Sequence, residues 1–291
     1  MNFEFFSKYQ RFFIIGLGLG TLLLLATIIS FPDHNLHLWF FDVGQGDSAL
    51  IKTPSNHYFL IDGGPSDQVI WQLSKALPFW QRRIDAIFLS HPHADHLIGL
   101  VEVLKRYQVG CVFVNPVKNN TPEWQAFFSV IKEKNIKVRH FWQAEEVIDK
   151  DFKITALFPD QKILQSFWQA QGPMDFNLLS QVLLVELGNF KSLLFGDAEA
   201  GAENPYLEFS QWPSVDLIKV PHHGSKDFLS SEVLSQLSPW VAVISVGLNN
   251  SFKLPDSSSL DLLKQKKINI WRTDEKGTLE VVSDGRGWLT R

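Results

Sequence analysis

Three histidines and one aspartate fall within the six residues His91-Pro92-His93-Ala94-Asp95-His96. The run before them, Ile84 to Ser90, reads as a buried strand, so the motif begins on the loop that leaves it. Side chains alternate in an extended segment, which lets His91, His93 and Asp95 face one side. Pro92 keeps the chain extended and delays the next helix. That helix follows at once, with apolar Leu97, Leu100, Val101 and Leu104 at helical spacing between His96 and Tyr107. His96, near its start, can address a second position. Two imidazoles offset from an Asp–His pair suit two neighbouring divalent cations. A lone histidine is usually a satisfied structural residue, but this density of ligand types is not readily explained that way.

Three further clusters repeat the design of a strand running into polar residues. Leu194-Phe195-Gly196-Asp197 ends at a tight turn, and a carboxylate presented there can bridge two cations with its two oxygens. Alone, a Gly-Asp pair is mostly just a turn. Lys219-Val220-Pro221-His222-His223-Gly224-Ser225 supplies two histidines. One is a natural ligand, and the other could hydrogen-bond a phosphate or act as an acid. Ser225 and the Gly224 backbone could donate to an oxyanion; the plainer reading is a helix cap, a role that Ser230 and Ser231 can already fill. The runs Phe41-Asp42-Val43-Gly44-Gln45-Gly46-Asp47-Ser48 and Ile61-Asp62-Gly63-Gly64 put aspartates at strand ends before glycines, which permit φ > 0 and close backbone approach. Asp42 and Asp62 fit the task of orienting metal ligands from behind. Gln45 and Asp47 are candidates for the same task or for substrate contact.

With 45% apolar and 20% charged residues over 291 positions, the chain has a globular profile and room for a full-sized core. Its net charge of −4 argues against coating nucleic acid by bulk electrostatics. Bound cations at a local site would still attract phosphate. The single cysteine, Cys111, excludes an intrachain disulfide framework and a cysteine-rich zinc site. The basic groups Lys132, Lys134, Lys137, Arg139 and Lys264, Lys266, Lys267 read as solvated faces first and as guides for a polyanion second.

Residues Phe12 to Phe31 carry no charge over 20 positions, roughly the thickness of a bilayer's hydrocarbon core when helical. Lys8 and Arg11 precede this run and Asp33 follows. The expectation is therefore a cytoplasmic segment over residues 1–11, an anchor over 12–31 and an extracytoplasmic domain over 32–291. A cleaved signal peptide competes with this reading, but the run exceeds the usual apolar region of about 7–15 residues. From Leu36 onward, strand-like runs recur at Leu38–Val43, Ala49–Lys52, Tyr58–Asp62, Ala86–Leu89, Cys111–Val114, Ile154–Phe158, Ser180–Leu187, Ser192–Phe195, Leu217–Val220, Val241–Val246 and Leu279–Val282, with helical patterns at Val69–Leu77, His96–Tyr107, Trp124–Lys134 and Ser230–Leu237. Two strand-rich halves, each interrupted by helices, fit an α/β sandwich better than a doubly wound sheet.

Taken together, these motifs resemble the metallo-β-lactamase superfamily, and in detail the extracytoplasmic hydrolase domain of the bacterial ComEC competence proteins. The resemblance rests on Asp-Val-Gly-Gln-Gly-Asp at 42–47, the histidine hexapeptide, Gly196-Asp197, Pro-His-His-Gly-Ser at 221–225 and Arg272-Thr273-Asp274 before Gly277. It implies a four-layer αββα sandwich (α+β) with two divalent metal ions, zinc or manganese, at one edge of the sheets. It further implies His91 and His93 on one metal; Asp95, His96 and His222 or His223 on the other; and Asp197 between them. Asn177 or Asp175 would stand near the metals. The implied activity is phosphodiester hydrolysis, with single-stranded DNA as substrate during uptake, and with Asp95, His222 and His223 as catalytic groups. Other outcomes are a different phosphodiester, such as phosphocholine, or a non-catalytic nucleic-acid-binding module. One departure stands out: the family's Asn-x-Tyr-x-His-Pro stretch reads Asn250-Ser251-Phe252-Lys253-Leu254-Pro255, with leucine in place of histidine. A single membrane segment, against the multi-helix channel of full ComEC proteins, leads to the expectation of a truncated, split or stand-alone form beside a separate competence channel protein.

Overall fold

The structure, a computed structural model, describes residues 3–30, 33–117, 119–169, 175–198, 211–226 and 229–291. The chain divides into two compact units, residues 1–33 and 34–291. The first holds helix α1 (Phe3–Ser30), whose apolar side chains between Phe12 and Leu25 are exposed. The expected membrane-spanning anchor over 12–31 is not met: among the described residues, no helix is long and apolar enough to cross a membrane. Side chains are described in this helix only over residues 9–25. The end of the expected span, over residues 26–31, lies outside the described side chains. The single-pass placement of the second unit loses its basis with it.

In the second unit the chain runs through β1 (Leu36–Phe40), β2 (Ala49–Lys52), β3 (Tyr58–Ile61), α2 (Gln68–Ala76), β4 (Arg83–Leu89), α3 (Ala94–Arg106) and β5 (Gln108–Val114). It continues through α4 (Pro122–Glu133), β6 (Lys137–His140), β7 (Glu146–Asp149), β8 (Phe152–Phe158), α5 (Gln161–Gln169), β9 (Val182–Leu187), β10 (Phe190–Leu194) and β11 (Leu217–Lys219). It ends with α6 (Ser231–Leu237), β12 (Val241–Ile244), α7 (Ser257–Gln265), β13 (Asn269–Arg272), the short α8 (Thr273–Lys276), β14 (Leu279–Ser283) and β15 (Trp288–Thr290). An eight-stranded sheet has the order β15-β14-β1-β2-β3-β4-β5-β6, and a seven-stranded sheet β13-β12-β11-β10-β9-β8-β7.

Alternation along the strands sorts the side chains into three cores. Ala86 and Phe88 of β4 meet Ile154 and Ala156 of β8 and Leu183 and Val185 of β9 between the sheets. Ile87 and Leu89 point the other way, onto Leu73 of α2, Leu100 of α3 and Phe127 of α4. Val182 and Leu184 pack outward against Leu164 of α5, Leu234 of α6 and Leu263 of α7. The result is the αββα layering expected from the sequence.

Topology also gathers the loops. Strands β3, β4, β5 and β6 run parallel, as do β10, β11, β12 and β13. Parallel strands joined by crossovers bring their carboxyl ends to one edge, where ligand sites collect in such sheets. Asp62 follows β3, His91 follows β4, Asp197 follows β10, and His223 follows β11.

Candidate metal centre

The centre is built outward from Asp62. This residue sits in the left-handed region with φ 57°, and its backbone N–H donates to the Phe88 carbonyl at 2.9 Å. Asp62 Oδ1 accepts from the Ser90 amide at 2.8 Å and Oδ2 from the Ser90 hydroxyl at 2.7 Å. The same Oδ2 takes Nδ1 of His96 at 2.8 Å. Helix α3 can approach this closely because Gly63 faces Gly99: a Cβ on Gly63 would lie 2.4 Å from the Leu100 amide nitrogen. With Nδ1 committed, His96 directs Nε2 to 3.3 Å from Asp197 Oδ1 and 3.9 Å from Asp95 Oδ2.

Asp197 is presented by the turn after β10. Gly196 adopts φ 53°, and a Cβ there would lie 2.3 Å from the Ser180 hydroxyl oxygen. That hydroxyl instead accepts the Asp197 amide at 3.0 Å and lies 3.2 Å from His91 Nδ1. His91 Nε2 lies 3.8 Å from Asp197 Oδ2 but 3.0 Å from His93 Nδ1. Extended alternation holds as far as His93. Asp95 already belongs to the first turn of α3 and points with His96 rather than with His91.

His223 closes the group from the second sheet. It and His222 both have positive φ, 53° and 43°. Its Nδ1 donates to the Ser245 carbonyl at 2.8 Å, since a carbonyl can only accept. Nε2 then lies 3.2 Å from Asp95 Oδ2 and 3.8 Å from Asp197 Oδ2. Of the two histidines left open by the sequence, His223 is the one that joins the carboxylates.

Ligand atoms of Asp95, His96, Asp197 and His223 lie within 4.8 Å of one another. Among the described residues, His96 Nε2 and Asp197 Oδ1 are buried without a hydrogen-bond partner. Leaving such atoms unpaired costs about 1–3 kcal/mol each, so native proteins rarely do it. A cation between them would satisfy both atoms, and the imidazole–carboxylate donor set fits a divalent metal.

The electrostatics are consistent with that fit. Burial opposes charge on His96, yet the carboxylates of Asp197 and Asp62 raise its pKa well above the ordinary histidine value. Burial likewise opposes charge on His223, but the neighbouring carboxylates of Asp197, Asp47 and Asp95 push it up to about 9. Burial would raise Asp197; His96 and His223 instead hold it well below the usual carboxylate range. His91 is held well down by burial and by its neighbour His96. In the metal-free chain, protons on His96 and His223 thus stand where cationic charge is favoured.

The remaining sequence candidates are placed as follows. Asp47 Oδ1 lies 3.3 Å from His223 Nδ1. Gln45 Oε1 accepts the Gly247 amide at 3.1 Å. Asp42 shapes its own turn, with its amide donating to Thr278 and its carboxylate accepting the Gly44 amide at 3.3 Å; it does not bond a member of the cluster. Asn177 begins the turn that leads to Ser180, and its Oδ1 is buried without a partner. Ser225 donates its amide to the His222 carbonyl at 3.0 Å, and Ser230 caps α6 through its hydroxyl, as expected. Leu254 packs on the outer core of the second sheet, with its amide and carbonyl both held by the Asn250 side chain. Three participants have no counterpart in the sequence reading: Ser90, Ser180 and Ser245. Ser90 and Ser245 directly follow β4 and β12, and Ser180 stands two residues before β9.

The comparisons with known proteins agree with this geometry. Residues 41–247 match the metallo-beta-lactamase superfamily. The chain is 28% identical over 257 residues to ComE operon protein 3 of Bacillus subtilis, covering 82% of this chain and 32% of that protein. It is 28% identical over 284 residues to competence protein ComA of Neisseria gonorrhoeae, covering 94% and 37%. It thus spans about a third of the length of these curated relatives. Among solved structures, the metallo-beta-lactamase fold protein YhfI from Bacillus subtilis superposes with a TM-score of 0.56 at 12% identity, covering 84% of this chain and 99% of that one. The resemblance to competence proteins of the ComEC type read from the motifs is borne out, and the chain belongs to the metallo-beta-lactamase superfamily.

Proposed function

We propose that residues 34–291 form a metal-dependent phosphodiester hydrolase that cleaves DNA, single-stranded by preference, alongside a competence system. The observation that carries this reading is the group Asp95, His96, Asp197 and His223, with two of its atoms buried and orphaned. Asp95, His96, Asp197 and His223 would hold one divalent ion. His91, His93 and Asp197 would hold a second, zinc or manganese in each case. Such ions supply Lewis acidity to a phosphoryl oxygen and acidify water. The protein's own groups do the rest. Asp62 and the Ser245 carbonyl keep the Nδ1 protons of His96 and His223 pointed away, which leaves both Nε2 atoms toward the carboxylates. Asp95, whose side chain is 34% exposed, is the carboxylate of this group open to solvent, and, kept ionised by His223 and His96, it is placed to orient the attacking water. His222, beside His223, is the candidate to donate a proton to the leaving oxygen.

The chain's similarity to competence proteins supports DNA as the substrate. Another phosphodiester at the same site is the second reading, whereas Leu254 in place of a histidine speaks for a non-catalytic nucleic-acid-binding module. The test is metal analysis of the purified chain together with hydrolysis of single-stranded DNA, double-stranded DNA and bis-p-nitrophenyl phosphate in Mn²⁺ or Zn²⁺. Cleavage of DNA, lost in Asp95→Ala, is the expected result. Cleavage of the small diester without DNA would favour the second reading, and no activity with any metal would sink both.

A further inference from the structure

Behind His223 lies a buried ion pair that the centre does not use directly. Asp47 and Lys219 are 5% and 3% exposed, with Oδ2 and Nζ 2.6 Å apart. Lys219 ends β11 in the middle of the second sheet, opposite Leu194 and Val243, and its ammonium also donates to the Val220 carbonyl at 2.7 Å. Asp47 comes from the first sheet's side, and its carbonyl accepts the Gly64 amide at 2.8 Å. Its second oxygen, Oδ1, faces His223 Nδ1 at 3.3 Å and is buried without a hydrogen-bond partner.

Such a pair is a poor way to stabilise a fold, because desolvation of both charges offsets their attraction. A well-packed neutral pair would do as well. Its placement suggests a different use.

We propose that Lys219 is a positioning residue for the metal centre. Its ammonium pins Asp47 so that the carboxylate, with the Ser245 carbonyl, keeps the proton of His223 on Nδ1 and the lone pair on Nε2, toward Asp95 and Asp197. The pin has a second consequence. Ligand atoms of Asp47, Asp62 and His96 also lie within 4.8 Å of one another, close enough to hold a cation. With Lys219 on Oδ2 of Asp47, the charge of that carboxylate is balanced and does not draw the ion, or His96, away from Asp197.

This inference rests on the metal-centre reading above, and its test keeps the two apart. In the full-length, metal-free protein held in alkaline buffer above pH 9, where the ring of His223 is neutral, nitrogen-15 NMR of the histidine rings reads the His223 tautomer directly. A proton on Nδ1 is expected; a proton on Nε2 alone overturns the proposal. The double variant Asp47→Asn/Lys219→Met removes both charges together, so no lone buried charge remains to unfold it. Calorimetric titration with Zn²⁺ and Mn²⁺ should then show affinity lower by about 10–100-fold, the usual effect of removing a group that orients a ligand. The visible spectrum of the Co²⁺-loaded variant should differ from that of the wild type. A folded double variant with wild-type affinity and an unchanged Co²⁺ spectrum would mean that the pair is structural only. Wild-type protein that takes up no divalent ion would sink the metal-centre reading instead, and the tautomer would still test the pin.

Discussion

The two arms of the centre are built differently. In the arm of His96 and His223, each ring commits Nδ1 to a fixed acceptor, Asp62 for one and the Ser245 carbonyl for the other. Both Nε2 atoms are therefore aimed at the carboxylates before any ion arrives. In the arm of His91 and His93, the rings contact each other, Nε2 to Nδ1 at 3.0 Å, and His91 Nδ1 rests between the hydroxyls of Ser90 and Ser180. A hydroxyl can donate or accept, so it does not impose a tautomer as a carboxylate or carbonyl does. The difference teaches that one position is organised in advance, whereas the other must separate a pair of histidines that already satisfy each other. We expect the first to bind its ion more tightly.

The harshest test removes the group common to both arms. Asp197→Ala should lose both metal equivalents by elemental analysis, and hydrolysis should fall on the order of 10⁴-fold, the scale for one member of a unit that acts together. Retention of either equivalent would show that Asp197 does not connect the arms. Asp62→Asn strikes the organised arm alone. It should weaken the tighter equivalent by about 10–100-fold in a calorimetric titration, with the weaker one unmoved. His93→Ala reverses the contrast: one equivalent disappears while the tighter one holds to within about twofold. If His93→Ala instead removes the tighter equivalent, the ranking of the arms is wrong.

A pH scan of the metal-free protein sharpens the same contrast. His223 has its pKa raised to about 9 from 6.5, and His96 is raised as well. A base whose pKa rises on folding stabilises the fold most fully below its unfolded pKa and loses that contribution as pH climbs through the folded value. The thermal midpoint of the metal-free protein should therefore fall between pH 6.5 and about 9. Saturating Zn²⁺ should flatten that slope, because a metal ion takes the place of the protons. The smallest effect is expected at Leu254. Its side chain packs on the second sheet's outer core rather than among the ligands, so Leu254→His should change the rate of diester hydrolysis by less than about tenfold, well short of the 10²–10⁴-fold of a placed acid.

Much of the fold was legible in the chain because most strands and helices bury a face. Runs such as Ala86–Leu89 and the helical spacing of Leu97, Leu100 and Leu104 recur in β4 and α3, though strand ends are shifted elsewhere. Strands β6, β7, β13 and β15 escaped because they lack that pattern. β6 is exposed along its whole length, and its Lys137 and Arg139 read as a basic surface group when they in fact line a sheet edge, a common guard against edge pairing. The N-terminal run misled in the opposite direction: lack of charge alone suggested a span that the described residues of α1 do not provide.

By itself, the sequence determined which residue types were available for metal chemistry and that each cluster lies where a strand gives way to a turn. Local rules suffice for this, since Pro92 and Gly196 act on their own neighbours. Which atoms meet was decided only by the tertiary structure. That His223 rather than His222 reaches Asp197, and that Asp62 rather than Asp42 holds His96, depend on which strands become neighbours within a sheet, and that Lys219 lies on Asp47 depends on the two sheets packing face to face. Those pairings join residues from 26 to 172 positions apart, and no periodicity along the chain records which strands become neighbours or how sheets face each other.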